Sequence, residues 1–190
     1  ADRARAERRD RSVKPALTVE SQRLAIRFDD AGPSVEAVYE LWVEGWPVTS
    51  AHLPFPGFAA TAELTRDGKP SAGLALAKER DGGLSVVARE PGRYRLVVRG
   101  RGEVQRAAGS TRLLIEPSRA AVAVTEVDAP AALGTHVEGA VVVGERTAGD
   151  RRLLTLAPNR GATTVVEVRR EQEAGEATTL LADSSLLTIL

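Results

Sequence analysis

The sequence predicts an all-β fold: a predominantly antiparallel β-sandwich of roughly a dozen strands with few or no helices. Three observations carry this. Apolar and polar residues alternate with period two from Leu17 onward, the pattern of strands buried on one face. Glycine or proline turns interrupt the alternation about every ten residues, as in all-β domains. The alanine-rich pieces Gly57–Glu63 and Ala129–Gly134 hold no sustained helical period.

Residues 1–16 stand apart. They are dense in both charge signs and poor in large apolar side chains, which predicts a charged flexible arm. A tether beside a lost signal or anchor is the functional alternative. Residues 17–190 form the predicted β-domain. Leu24, Ile26 and Phe28 alternate with Arg23, Ala25 and Arg27 in its first strand. Asp29–Pro33 reads as a loop. Val35, Ala37, Tyr39, Leu41 and Val43 then make one face of a second strand; Glu36, Val38, Glu40, Trp42 and Glu44 make the other. Gly45-Trp46-Pro47 breaks or bulges it, because proline donates nothing to a ladder. Leu53–Phe58, with two prolines, is an extended edge or a loop capping the core.

Asp67-Gly68-Lys69 and Asp81-Gly82-Gly83 are hairpin turn signals, since Asp-Gly tolerates positive φ. Leu74–Lys78 and Leu84–Arg89 flank them as strands. Pro91-Gly92 suits the centre of a type II turn. Tyr94, Leu96 and Val98 follow on one strand face, with Arg93, Arg95, Val97 and Arg99 on the other. The polar, glycine-rich stretch 100–110 is a sub-boundary between two small sandwiches or a long hairpin end. Leu113–Glu116, Ala121–Val127, Val137–Val143, Leu153–Leu156, Thr164–Arg169 and Thr178–Leu181 complete the strands. Gly144–Asp150 is expected as a hairpin loop. The apolar ending Ser184–Leu190 implies a continuing polypeptide or a last strand buried against the sheet.

Composition removes several function classes. Twenty-six basic residues balance 26 acidic ones, for a formal net charge of +0; a nucleic-acid partner calls for a basic excess. Cysteine and methionine are both absent, so disulfides, thiolate metal sites and thiol nucleophiles are excluded. The missing initiator methionine points to a processed product or an excised piece. No apolar run reaches the roughly 18 residues of a membrane helix. A transmembrane barrel needs aromatic girdles and an outward apolar band, whereas the outward faces here carry arginine and glutamate.

No catalytic motif stands on this scaffold, so a non-enzymatic role is expected, without cofactor or metal. His52 and His136 lack neighbours at zinc-ligand spacing. No G-x-S-x-G elbow, P-loop or G-x-G-x-x-G occurs. Asp29-Asp30 is an isolated acidic pair rather than a calcium loop. Glycoside hydrolysis needs only two carboxylates across a cleft, and Glu36, Glu40 and Glu44 share a strand face. A solvated outer face accounts for them more simply. Arg93, Arg95, Arg99 and Arg101 form a basic strip, best read as cross-strand ion pairs. Tyr39, Trp42, Trp46, Phe55 and Phe58 crowd one window. Core filling is the plainer reading; ligand stacking by Trp42, Trp46 and Tyr39 is the functional one, because a sugar ring presents an apolar face to an aromatic platform.

The stretch Glu90-Pro91-Gly92-Arg93-Tyr94-Arg95-Leu96-Val97-Val98 resembles the P-G-x-Y-x-L-x-V stretch of immunoglobulin-like bacterial β-sandwich modules. That resemblance implies a tyrosine corner at Tyr94. Val48–Arg169 is similar to β-rich regions of large bacterial cell-envelope proteins, on the Leu53-Pro54 edge, the Asp67-Gly68-Lys69 turn, the Pro91–Tyr94 strand and the later valine ladders. It implies a periplasmic or envelope location. The function expected is a structural or protein-interaction module of a larger envelope protein, with other proteins or neighbouring domains as partners. A carbohydrate-binding or enzyme-accessory module is the alternative.

Overall fold

A computed structural model describes residues 16–45, 50–78, 83–107 and 109–170. Residues 1–15 of the expected arm, Trp46, the Asp81-Gly82 turn and the expected strand Thr178–Leu181 with the apolar ending lie outside the described residues.

All regular structure among the described residues is β, in fifteen strands. They are β1 (Ala16–Arg27), β2 (Ser34–Glu44), β3 (Ser50–Leu53), β4 (Gly57–Arg66), β5 (Lys69–Pro70), β6 (Leu74–Lys78), β7 (Leu84–Ala88), β8 (Gly92–Gly102), β9 (Val104–Ala107), β10 (Ser110–Ile115), β11 (Val122–Pro130), β12 (Leu133–Glu138), β13 (Ala140–Ala148), β14 (Arg151–Pro158) and β15 (Thr164–Arg170). An eight-stranded sheet runs β13-β14-β11-β1-β2-β8-β4-β5. A four-stranded sheet runs β12-β15-β10-β9, and a three-stranded sheet β3-β7-β6.

Pairing among the described strands is predominantly antiparallel, as expected, but the expectation of a single sandwich is corrected. There are three sheets, and the large one is mixed: β1 pairs in parallel with β11, from Ser21↔Val122 to Arg27↔Asp128. Parallel neighbours need a long crossover between them. Alternation within β1 and β11 shows which face each buries and says nothing about its partner.

Burial follows the predicted alternation closely. Val35, Ala37, Tyr39, Leu41 and Val43 of β2 are all buried, as are Tyr94, Leu96 and Val98 of β8. Over β14, β11, β1, β2 and β8 one face of the large sheet is therefore dry and the other wet, while β13 at one end and β4 and β5 at the other stay largely exposed. The dry face shares one core with Leu113, Ile115, Val166 and Val168 of the four-stranded sheet. Leu53, Leu74, Leu84 and Val86 of the three-stranded sheet join the same core. Both small sheets thus cover the same side. Between β3 and β4, the Pro54-Phe55-Pro56 segment is buried, so these prolines roof the core as a loop.

The Asp67-Gly68 signal is a two-residue hairpin with both φ positive, 50° and 76°, and Arg66↔Lys69 closes it. Gly92 differs from expectation. Its φ of 145° is more extended than a type II turn requires, and it already belongs to β8. The expected strand Val137–Val143 is cut in two at Gly139. There φ is 72°, and an added side-chain carbon would overlap the Thr163 carbonyl. The expected loop Gly144–Asp150 is largely strand: β13 pairs with β14 as far as Ala148↔Arg151. The stretch 100–110 holds the end of β8, all of β9 and the start of β10.

Candidate functional site

The wet face of the eight-stranded sheet gathers most of the charged residues singled out in the sequence. Strand alternation puts Arg93, Arg95, Arg99 and Arg101 of β8 on that face, and register sets β2 glutamates beside them: Glu40↔Arg95 and Glu36↔Arg99. Arg95 reaches Glu40 at 3.2 Å. Arg99 joins three strands, with Nε donating to Glu36 at 2.6 Å and Nη1 to Glu63 at 2.8 Å. Arg93 pairs with Glu20 at 3.7 Å and Arg101 with Asp29 at 3.6 Å. Arg23 of β1 donates to both oxygens of Glu126 on β11 at 2.8 Å. The basic strip is a lattice of cross-strand ion pairs. Most of its side chains stay well exposed, so each pair adds little stability.

A cleft of about 810 Å³ lies across this face, lined by residues from six neighbouring strands, β13, β14, β11, β1, β2 and β8. Ala25 and Gly144 line it with small side chains, while Glu36, Glu126, Asp128 and Glu145 supply carboxylates. Each carboxylate has an arginine: Glu36–Arg99 at 2.6 Å, Glu126–Arg23 at 2.8 Å, Asp128–Arg151 at 2.7 Å and Glu145–Arg152 at 3.4 Å. The acidic groups of the cleft are thus all ion-paired with arginines.

The aromatic residues are scattered by the fold. Tyr39 is a correction to the stacking set: it is 0% exposed, and its hydroxyl donates to the Pro54 carbonyl. Burial pushes its phenol well above the ordinary 10.0. A ring inside the core offers no platform. Trp42 is half-buried on the wet face, with the Arg93 guanidinium 5.1 Å from its ring centroid, a cation–π contact. Trp46 lies outside the described residues. Tyr94 donates to the Glu90 carbonyl at 2.9 Å, across a sequence separation of 4 residues. Arg66 lies over the same ring at 5.8 Å and binds Glu90 at 2.7 Å. Burial raises the Tyr94 phenol, partly offset by Arg66.

His52 binds Glu116 at 3.0 Å and His136 binds Glu138 at 3.2 Å. Among the described residues, no three His, Cys, Asp or Glu side chains cluster closely enough to hold a metal. No described helix is long and apolar enough to cross a membrane.

One surface went unread in the sequence. The edge strand β13 exposes Val141, Val142 and Val143 at 55%, 45% and 62%, and Val122 of β11 is 60% exposed. A bulge between Val142 and Gly144 breaks the alternation there, so consecutive valines face solvent. The valine run itself was the available signal, since three in succession cannot all point inward from one regular strand.

No family model and no curated protein sequence matches the chain. Solved structures do match. The M1 zinc metallopeptidase of Deinococcus radiodurans aligns with a TM-score of 0.51 at 17% identity, over 80% of this chain and 42% of that one. Aminopeptidase A of Legionella pneumophila, solved with aspartic acid, aligns with a TM-score of 0.53 at 9% identity, over 83% of this chain and 22% of that one. The chain therefore spans less than half the length of either. At these identities the likeness is one of fold. It is to β-rich parts of M1 peptidases, which replaces the resemblance to immunoglobulin-like modules.

Proposed function

We propose that this chain is a non-catalytic β-domain of a larger protein built on the M1 peptidase plan. The observation that carries the reading is the coverage: the fold match takes in 80% of this chain but 42% of the metallopeptidase. Fold alone does not assign chemistry. The ion pairing of the cleft's carboxylates supports a structural surface. The consecutive exposed valines Val141, Val142 and Val143 on the edge strand β13 support an interaction role, since exposed apolar groups together mark contact surfaces. The partner in this reading is a neighbouring domain of the same polypeptide. An envelope location is part of the proposal and rests on the resemblance of Val48–Arg169 to envelope β-regions.

The test is the size and activity of the native product. An antibody against this chain is expected to detect a polypeptide far larger than 20.2 kDa. The isolated chain, supplied with zinc, is expected to leave aminoacyl amide substrates uncleaved. A native product of 20.2 kDa, or aminopeptidase turnover by the isolated chain, would overturn the reading.

A further inference from the structure

We propose that the cleft across the wet face of the eight-stranded sheet docks an extended acidic peptide segment, held by Arg27 and Arg146. Register sets two adjacent rows of side chains across the strands. One runs Arg99, Glu36, Ala25, Glu126, Thr155 and Gly144, from β8 to β13. The next runs Ser34, Arg27, Asp128, Leu153 and Arg146. All of these residues line the cleft. Leu154 and Leu156 are buried, so alternation turns Leu153 and Thr155 to the wet face. Ala25 stands among longer side chains, with Glu36 and Glu126 opposite it on the two neighbouring strands. Both glutamates are drawn aside. Arg23 donates to both oxygens of Glu126 at 2.8 Å, and Arg99 holds Glu36 at 2.6 Å. A hollow is left over Ala25, and Thr155 and Gly144 continue it toward β13.

The charge left over at the cleft is positive. Its four carboxylates are taken by Arg99, Arg23, Arg151 and Arg152. Arg27 stays 3.7 Å from Asp128, whose Oδ1 is already held by Arg151 at 2.7 Å. Among the described residues, no carboxylate comes within ion-pair distance of Arg146. Glu63, which shares Arg99, belongs to β4 and lies outside the lining. Arg27 and Arg146 are both exposed and stand in one row on either side of Asp128 and Leu153. Guanidinium groups so placed recognise carboxylates. Six strands about 4.8 Å apart make the cleft roughly 24 Å long. A chain rising about 3.3 Å per residue crosses it in about seven residues. That length fits an extended polymer. Glu36 and Glu126 along the row oppose the unbroken charge of a nucleic acid, whereas a peptide can space its carboxylates around them.

The test is a nuclear magnetic resonance titration of the full chain with the acetylated peptide amide Glu-Ala-Glu-Ala-Glu-Ala-Glu. Saturable amide shifts are expected around Ala25, Arg27, Gly144 and Arg146. Arg27→Gln and Arg146→Gln are each expected to weaken binding about 2–5-fold, the range of one exposed ion pair. Ala25→Leu, which fills the hollow, is expected to weaken it as well, and Arg160→Gln, outside the lining, to leave it unchanged. Spectra of the free variants, unaltered away from the substitution, show that each still folds. Equal binding of the matching Gln-Ala peptide, shifts centred elsewhere, no saturable shift at millimolar peptide, parental affinity in both arginine variants, or tighter binding of a single-stranded oligonucleotide would each overturn the proposal.

Discussion

Arg151 and Asp128 form the most enclosed ion pair of the charged network: Nε donates to Oδ1 at 2.7 Å, with side chains only 19% and 24% exposed. The same guanidinium donates through Nη2 to the carbonyls of Phe28 at 2.9 Å and Asp128 at 3.1 Å. One residue of β14 thereby ties down the ends of β1 and β11, the parallel pair at the centre of the sheet. Asp128 also lies 3.7 Å from Arg27.

Arg151→Ala is expected to destabilise the chain by about 2–3 kcal/mol, because it removes the close charged partner of Asp128, leaving only Arg27 at 3.7 Å, and a donor to the Phe28 carbonyl. Arg151→Lys is expected to recover only part of this, since an ammonium cannot reproduce the guanidinium fork. Urea unfolding of both variants checks the ordering. Equal stability of Arg151→Ala and the parent chain would contradict it.

Tyr94→Phe deletes the bond to Glu90 and is expected to cost about 1 kcal/mol. Gly73→Ala is expected to cost about 1–3 kcal/mol by overpacking, because the added carbon would overlap the Tyr94 hydroxyl. If that overlap is the cause, the double variant Gly73→Ala/Tyr94→Phe loses less than the sum of its parts. Strict additivity in the double-mutant cycle would reject the contact.

The chain has two tyrosines, and burial raises both phenols above 10.0. A raised folded value means the native state keeps its proton where the unfolded chain loses it. The associated stability is complete below pH 10 and declines as pH climbs past that value toward the folded one. Phenolate absorbance of Tyr39 is expected to appear together with unfolding rather than near pH 10. Tyr39→Phe is expected to flatten the alkaline loss of stability. Reversible ionisation of both tyrosines near pH 10 in the folded chain would refute this.

Gly139 and Gly149 both hold positive φ, at 72° and 62°, yet their surroundings differ. A side-chain carbon at Gly149 meets nothing within 4 Å, whereas one at Gly139 overlaps the Thr163 carbonyl. Gly149→Ala is expected to cost about 1 kcal/mol from backbone conformation alone. Gly139→Ala adds a backbone clash and is expected to reach about 2–5 kcal/mol. Thermal unfolding of the two variants separates these contributions; equal shifts would place the whole effect in φ.

Much of the fold was legible because local rules wrote it. Alternation in β2 named its five buried residues, and Asp67-Gly68 named a turn. The arginine strip of β8 was readable as ion pairs because every second residue returns to the same face. Tyr39 and Trp42 misled the reading in a specific way. They are three residues apart, an odd number, so a strand sends them to opposite faces; only one of them can share the glutamates' side.

What the chain decided by itself is the two-sidedness of each strand. The spacing of apolar residues fixes which half of a strand must leave water, whatever strand it meets. Tertiary structure alone decided the partners: the parallel union of β1 with β11, the breaking of one valine run at Gly139, and the division of the cover into two small sheets. Those outcomes depend on contacts between segments distant in the chain, such as Ser21 with Val122 and Gly139 with Thr163, and period-two alternation carries no information about which segment meets which.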